Sequence, residues 1–386
     1  MIKNNPKILI YHNRLLPISE TFIYNQSIRL SRYDAYFLGS KLQKGNRVSL
    51  PPDRVILINS GGFWGICNEI LFKLFGFIPR NALNKIKKLE PVLIHAHFVQ
   101  SGAIVLPLVK KLKVPFLLSI LGSDVTQDDQ SIKRHSVSGK IYVKRRRRLI
   151  NAVDQIIVPS HFLKEKAIKR GFESKKIVII HHGVDIQQFS PNRSSVEYGN
   201  ILFVGRLIPV KGVNYLIEAV KIVREYISDI RLTLLGDGPM RDIYELQAQK
   251  ELGDGFEFLG AQSQDVVKKY LEKAYLFCAP SVVMSNGQTE TFGVVFAEAQ
   301  AMGVPIVSFA SGGIPEVVQN GITGFLVKER DEKALADAML KLLQDKELHA
   351  KMSVAARKRA ELYFDLKKQN DELEYLYDRM ISDPRS

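Results

Sequence analysis

NILFVGRLIPVKGV, residues Asn200–Val213, reads as a strand running into a helix. The apolar run Ile201–Val204 suits a strand buried on both faces. Gly205 then opens a turn, and Gly212 precedes a segment rich in Leu, Ile and Ala. Strand, turn and helix in that order form half of a βαβ unit, the building block of a parallel sheet covered by helices. The alternation continues downstream in IRLTLLGDGP, FEFLG, YLFCAPS, VPIVSFA and TGFLV. Upstream it runs through KILIYH, YDAYFLG, RVILIN, PVLIHAHF, VPFLLSILG, DQIIVPS and KIVIIHHGV. The chain therefore reads as α/β, with two doubly wound domains in succession, and 386 residues are enough for both. The polar, aperiodic FSPNRSSVEYGN marks the join. Residues 1–190 and 191–365 are the expected domains. In the tail, 366–386, Leu366, Leu373, Leu376 and Tyr377 recur at helical spacing. That helix belongs either to the surface of the second domain or, as expected here, packs back on the first.

Charge divides unevenly between the halves. The chain holds 55 Lys and Arg against 40 Asp and Glu, a net +15. Residues 1–195 contain 32 of the cations and only 12 of the acids, whereas the remainder is net acidic. The basic half thus expects an anionic neighbour: nucleic acid, a membrane surface or a phosphorylated substrate. With 46% hydrophobic and 25% charged residues the chain is not disordered. Cys67 and Cys278 alone support neither a disulfide framework nor a structural zinc site. The apolar stretch from Ile8 is broken at His12 and Asn13, too early for a signal peptide, and no run of about 20 apolar residues exists to span a bilayer. A cytoplasmic protein is the expectation.

Two regions carry recognisable chemistry. Arg206 and Lys211, at a strand end beside a helix start, suit a diphosphate, although two solvated surface charges would look the same. The block Ser281–Val327 places Glu290 in a polar loop and Glu298 on an Ala-rich helix, with N–H groups of Phe292, Gly293 and Val294 at the helix start. Eight helical steps would turn the two carboxylates apart by roughly 80°, so they serve different groups of a ligand, unless they form a hydrolytic acid and base. GxGxxG is absent, which counts against a dinucleotide oxidoreductase.

In order, VGRLIPVKG, LLGDGP, the E-x7-E of Glu290 and Glu298, AMGVPIV, GGIPE and NGITGFLV resemble the retaining GT-B glycosyltransferases of family 4. The first half adds SETF at Ser19–Phe22, HAHF at His95–Phe98, LGSDV at Leu121–Val125 and HHGVD at His181–Asp185. FLGAQSQ, FAEAQAMG and FDLKKQNDELEYLYD bring it nearest to bacterial colanic acid and exopolysaccharide enzymes. The resemblance implies two Rossmann-like domains facing across a cleft, a nucleotide-diphosphate sugar on the second domain, and a saccharide or lipid-linked acceptor on the first. It assigns Arg206 and Lys211 to the leaving diphosphate, Glu290 to the donor sugar with Thr291, Phe292 and Gly293, and Glu298 to the ribose. Gly205 and Val294 complete the implied donor site. It also implies retention without a cofactor or a metal, so the adjacent Asp128 and Asp129 read as a helix start or solvated turn.

One departure from the family pattern falls at Leu121, where many relatives have the His of a His-Gly-x-Asp tetrad. His97 is the candidate to replace it, unless it is a buried structural histidine. Asp124 and Glu20 are assigned to the acceptor side, though Ser19 and Glu20 could equally cap a helix. Two segments account for much of the basic half. Gly61–Leu89 places Phe63, Trp64, Phe72, Leu74, Phe75 and Phe77 among Lys73, Arg80, Lys85, Lys87 and Lys88; it reads as a membrane-interfacial element or as a core helix followed by a solvated one. Val143–Ile150, VKRRRRLI, is too rich in Arg for a core. The expectation is an anionic membrane at the inner face of the plasma membrane, and no nucleic acid. An epimerase-like sugar-nucleotide enzyme and a basic nucleic-acid-binding protein are the alternatives.

Overall fold

The computed structural model describes residues 5–15, 21–42, 50–191 and 195–383. Ser19 and Glu20, expected at the acceptor side, lie outside the described residues. The chain folds as two compact units, Met1–His181 with Lys367–Ser386, and His182–Leu366. The division precedes the expected 190/191 boundary because HHGVD beyond its first residue, His182–Asp185, belongs to the second unit. The Val184 N–H donates to the Phe364 carbonyl at 2.7 Å, and Phe189 lies in the second core.

The first unit runs β1 (Lys7–Tyr11), β2 (Arg14–Leu15), α1 (Thr21–Ile28), β3 (Asp34–Gly39), β4 (Lys41–Leu42), β5 (Val55–Leu57), α2 (Gly62–Phe75), α3 (Arg80–Leu89) and β6 (Leu93–His97). It continues through α4 (Val99–Leu112), β7 (Phe116–Ser119), α5 (Ser123–Thr126), α6 (Asp129–His135), α7 (Val137–Ala152), β8 (Gln155–Val158), α8 (His161–Lys169) and β9 (Ile177–Ile179). Its parallel sheet has the order β5-β3-β1-β6-β7-β8-β9. The chain builds outward from β1, then returns and builds the other way from β6.

The second unit runs β10 (Asn200–Val204), α9 (Val213–Tyr226), β11 (Arg231–Leu235), α10 (Arg241–Leu252), β12 (Phe256–Phe258), α11 (Gln264–Lys273) and β13 (Leu276–Cys278). It closes with α12 (Val294–Ala301), β14 (Ile306–Phe309), α13 (Ile314–Val317), β15 (Gly324–Val327), α14 (Glu332–Gln344) and α15 (Lys346–Tyr363). Its parallel sheet, β12-β11-β10-β13-β14-β15, reverses between β10 and β13. At such a reversal the loops leaving adjacent strands diverge to opposite faces, which opens a crevice at the strands' carboxyl ends. Both sheets are fully buried where helices cover both faces: every residue of β6, β7, β13 and β14 is buried.

The last helix, α16 (Leu366–Ser382), belongs to the first unit beyond its first residue. Leu373, Leu376 and Tyr377 enter a core cluster with Ile8, Ile10 and Leu93. The buried Glu374 carboxylate accepts the N–H groups of Ser31 and Arg32, at 2.6 and 2.7 Å, and the Ser31 hydroxyl at 2.8 Å.

Two readings of the basic half need correction. Phe72 is wholly buried rather than interfacial, and Lys73 pairs with Glu69. In the arginine run, Arg145 is structural: it donates to the carbonyls of Ala103 in α4 and, at 2.6 Å, Leu74 in α2. Arg146 binds Asp129 at 2.5 Å and covers the Tyr142 ring. Lys144, Arg147 and Arg148 remain exposed. No helix among the described residues is long and apolar enough to cross a membrane.

Candidate functional site

The second unit gathers its polar residues at the reversal between β10 and β13. After β10, a short turn at Pro209–Lys211 ends at Gly212, whose φ of +65° suits glycine and whose Cβ would strike the Pro280 carbonyl after β13. The two loops therefore touch backbone to backbone, and the Val282 N–H donates to the Val210 carbonyl at 2.8 Å. The GDGP turn supports the loop from the other side, with the Leu207 N–H donating to the Asp237 carbonyl at 3.0 Å.

Within this frame Lys211 Nζ donates to Glu290 Oε2. Their side chains are only 22% and 13% exposed. The Thr291 N–H donates to Glu290 Oε1 at 3.2 Å. Burial pushes the Glu290 carboxyl up, but the charge and hydrogen bond of Lys211, with the N–H groups of Thr291 and Phe292, outweigh it and hold the group below the ordinary glutamate range. Glu290 is thus ionised at neutral pH.

Two glycines not singled out in the sequence reading set this loop. The Gly313 N–H donates to the Glu290 carbonyl at 2.9 Å. A Cβ on Gly312, at φ +55°, would strike that carbonyl, and one on Gly313 the carbonyl of Thr291. The signal was GGIPE itself, a glycine pair where backbone meets backbone.

Helix α12 begins after Gly293, at φ +77°, so Glu290 stands before it and Glu298 on it. The first N–H groups of a helix have no partners within it and favour an anion. Glu298 Oε1 accepts Gln264 Nε2 at 3.0 Å, and burial raises its carboxyl despite that bond. Gln264, in FLGAQSQ, is a second partner missed in the sequence; only folding places α11 beside α12. Arg206 is exposed, and no side-chain partner holds it among the described residues. The crevice thus combines an exposed cation, a lysine-carboxylate pair, a helix N-terminus and a second, less acidic carboxylate.

Residues 185–359 match the family described as glycosyl transferases group 1, and residues 45–188 match glycosyltransferase family 4. The chain is 33% identical over 236 residues to the putative colanic acid biosynthesis glycosyltransferase WcaL of Escherichia coli, covering 60% of this chain and 58% of that protein. It belongs to the family-4 glycosyltransferases. The amylovoran biosynthesis glycosyltransferase AmsK of Erwinia amylovora is 30% identical over 55% of this chain and 54% of its own length. Each of these two alignments spans little more than half of the relative. Anabaena Alr3699/HepE, solved in complex with UDP and glucose, superposes with a TM-score of 0.73 over 97% of this chain and all of that one, at 18% identity. The fold is GT-B.

In the first unit of this family-4 chain, His97 is buried at the end of β6, its ring stacked on His95 at 4.2 Å. His95 Nδ1 and Nε2 bond the Tyr377 and Ser119 hydroxyls at 2.7 and 2.6 Å. Burial lowers the His95 pKa to about 3, so that ring stays neutral. Leu121 packs against the apolar cluster of Leu117 and Ile157. Asp124, expected at the acceptor side, has a positioning job that the sequence did not reveal. Phe98 takes a φ of +68° between β6 and α4, and Asp124 Oδ2 accepts the next N–H, that of Val99, at 2.8 Å. Burial, opposed by backbone N–H groups, pushes the Asp124 carboxyl up to about 7. Asp128 caps α6 through the Ser131 N–H at 2.8 Å, and Asp129 pairs with Arg146 and Arg170. Both acids are therefore committed to the fold.

Proposed function

We propose that this chain transfers a glycosyl group, with retention at the anomeric carbon, from a nucleotide-diphosphate sugar to a lipid-linked saccharide in bacterial surface-polysaccharide synthesis. The observation that carries this reading is the Lys211–Glu290 pair beside the α12 N-terminus, with Arg206 exposed on the loop after β10. A diphosphate entering there draws Lys211 and Arg206 onto its oxygens and leaves Glu290 to accept hydrogen bonds from sugar hydroxyls. Thr291, Phe292, Gly293 and Val294 supply backbone N–H groups. Gly205 gives the phosphates room to approach, and Glu298 is placed to receive the ribose hydroxyls.

The acceptor oxygen bonds to the anomeric carbon as the bond to the diphosphate oxygen breaks, and the acceptor proton passes to that departing oxygen. Arg206 and Lys211 stabilise the charge that develops on the leaving group. Colanic acid and amylovoran enzymes among the relatives support the polysaccharide assignment. UDP in the structural neighbour, and the GDP-mannose named for a mycobacterial relative, define the first donors to try. The cationic excess of the first half fits a peripheral enzyme at the anionic inner face of the plasma membrane, with His97 as the candidate catalytic histidine and Glu20 and Asp124 assigned to the acceptor side.

A panel of UDP- and GDP-sugars read by thermal shift tests the donor assignment. One donor should raise the melting temperature of wild type, and Arg206→Gln should lose most of that rise. If no nucleotide sugar shifts a folded protein, or if Arg206→Gln responds like wild type, the assignment fails. Conversion of the sugar with donor alone would instead favour epimerisation over transfer.

A further inference from the structure

We propose that α2 is an in-plane membrane anchor that seats its apolar face in the surface of an anionic bilayer. The inference rests on the membrane side of the reading above and names the element that makes the contact. Surface helices turn apolar residues inward, and α2 does the reverse. At roughly 100° per residue, Phe63, Cys67, Ile70 and Leu74 share the centre of one face, with Ile66 on one flank and Trp64 and Phe75 on the other. Phe63, Trp64 and Phe75 are 74%, 77% and 74% exposed, whereas the opposite face buries Gly65 and Phe72. Glu69 and Lys73 lie off the outward face and pair with each other. That face is therefore uncharged along the whole helix.

Length and charge select the occupant. Fourteen residues make a helix about 21 Å long, too short to cross a hydrocarbon core but sufficient to lie in its boundary. Cations border it. On α3, Lys85, Lys87 and Lys88 are exposed while Ala82 and Ile86 turn inward. On α7, Arg145 touches the Leu74 carbonyl, and Lys144, Arg147 and Arg148 are exposed nearby in sequence. A second copy docked face to face would oppose these like charges, whereas anionic head groups would neutralise them.

Trp64 is the sole tryptophan, so its fluorescence reports this face alone. With the full chain and vesicles of phosphatidylcholine and phosphatidylglycerol, its emission should shift to the blue and be quenched by brominated acyl chains. Vesicles of phosphatidylcholine alone should bind less. A spin label on Cys67, the cysteine that is not fully buried, should report burial below the head groups. Phe63→Ala with Phe75→Ala should weaken partitioning at least about tenfold, while donor-induced thermal shift, which reads the second unit, stays at the wild-type value. Binding to vesicles without the blue shift would overturn the proposal, because another face would then be the contact. Burial of Trp64 by self-association in the absence of lipid would overturn it in favour of a second copy.

Discussion

Replacing Lys211 by Met should convert Glu290 from a stabilising group into a destabilising one, with a pH signature. Met keeps the aliphatic stem but removes the cation, leaving a carboxylate whose side chain is only 13% exposed without its counter-charge. Breaking a buried ion pair costs about 3–5 kcal/mol, and the 22% exposure of Lys211 reduces that to about 2–3 kcal/mol at pH 7. In wild type the folded pKa of Glu290 lies below its ordinary 4.5. Its contribution is therefore present above that value and lost as pH falls through the folded pKa. In Lys211→Met, burial is no longer opposed by lysine, so the folded pKa rises above 4.5. The variant then binds a proton more readily folded than unfolded and regains stability on acidification. The gap between wild type and variant should be widest near pH 7 and close towards pH 4. Adding Glu290→Gln should recover most of the loss, a coupling of about 2 kcal/mol. Urea unfolding followed by circular dichroism measures this, since Trp64 lies in the other unit. An equal loss at pH 7 and pH 4, or a coupling below about 0.5 kcal/mol, would refute the electrostatic account of this pair.

Gly313→Ala should cost about 2–4 kcal/mol and weaken nucleotide-sugar binding, because the new Cβ strikes the Thr291 carbonyl and displaces the loop carrying Glu290. Calorimetry and donor titration would check it, and an unchanged donor affinity would contradict the loop's role. Asp124→Asn keeps an oxygen for the Val99 N–H but removes the titration. The wild-type pKa is raised from 3.8 to about 7, so stability from this group is present below the lower value and lost as pH rises through the upper one. Wild type should weaken between pH 5 and pH 8 more than the variant does, and parallel stability curves would rule that out.

Much of this was readable before folding because periodicity and turn chemistry are local. Short, mostly apolar runs in KILIY, LIHAH and IVSF predict strands covered on both faces, and Gly212 and Gly293 predict abrupt helix starts. Lys211, Glu290 and Glu298 were identifiable as residue types at characteristic spacing. The segment around Trp64 was equally visible as apolar and basic, but its pattern could not say which face is buried. Phe72 and Phe75 look alike in sequence, yet one is in the core and the other in solvent.

The sequence by itself determined the α/β class, the two-domain order and the residues from which the crevice is made, since each depends on neighbours within a few turns of chain. Only the tertiary structure decided how those residues are used. It paired Lys211 with Glu290, set Gln264 on Glu298, placed Asp124 at the start of α4, and joined α16 to the first unit. Those contacts join elements far apart in sequence, and their energies depend on burial and distance, which local pattern does not contain.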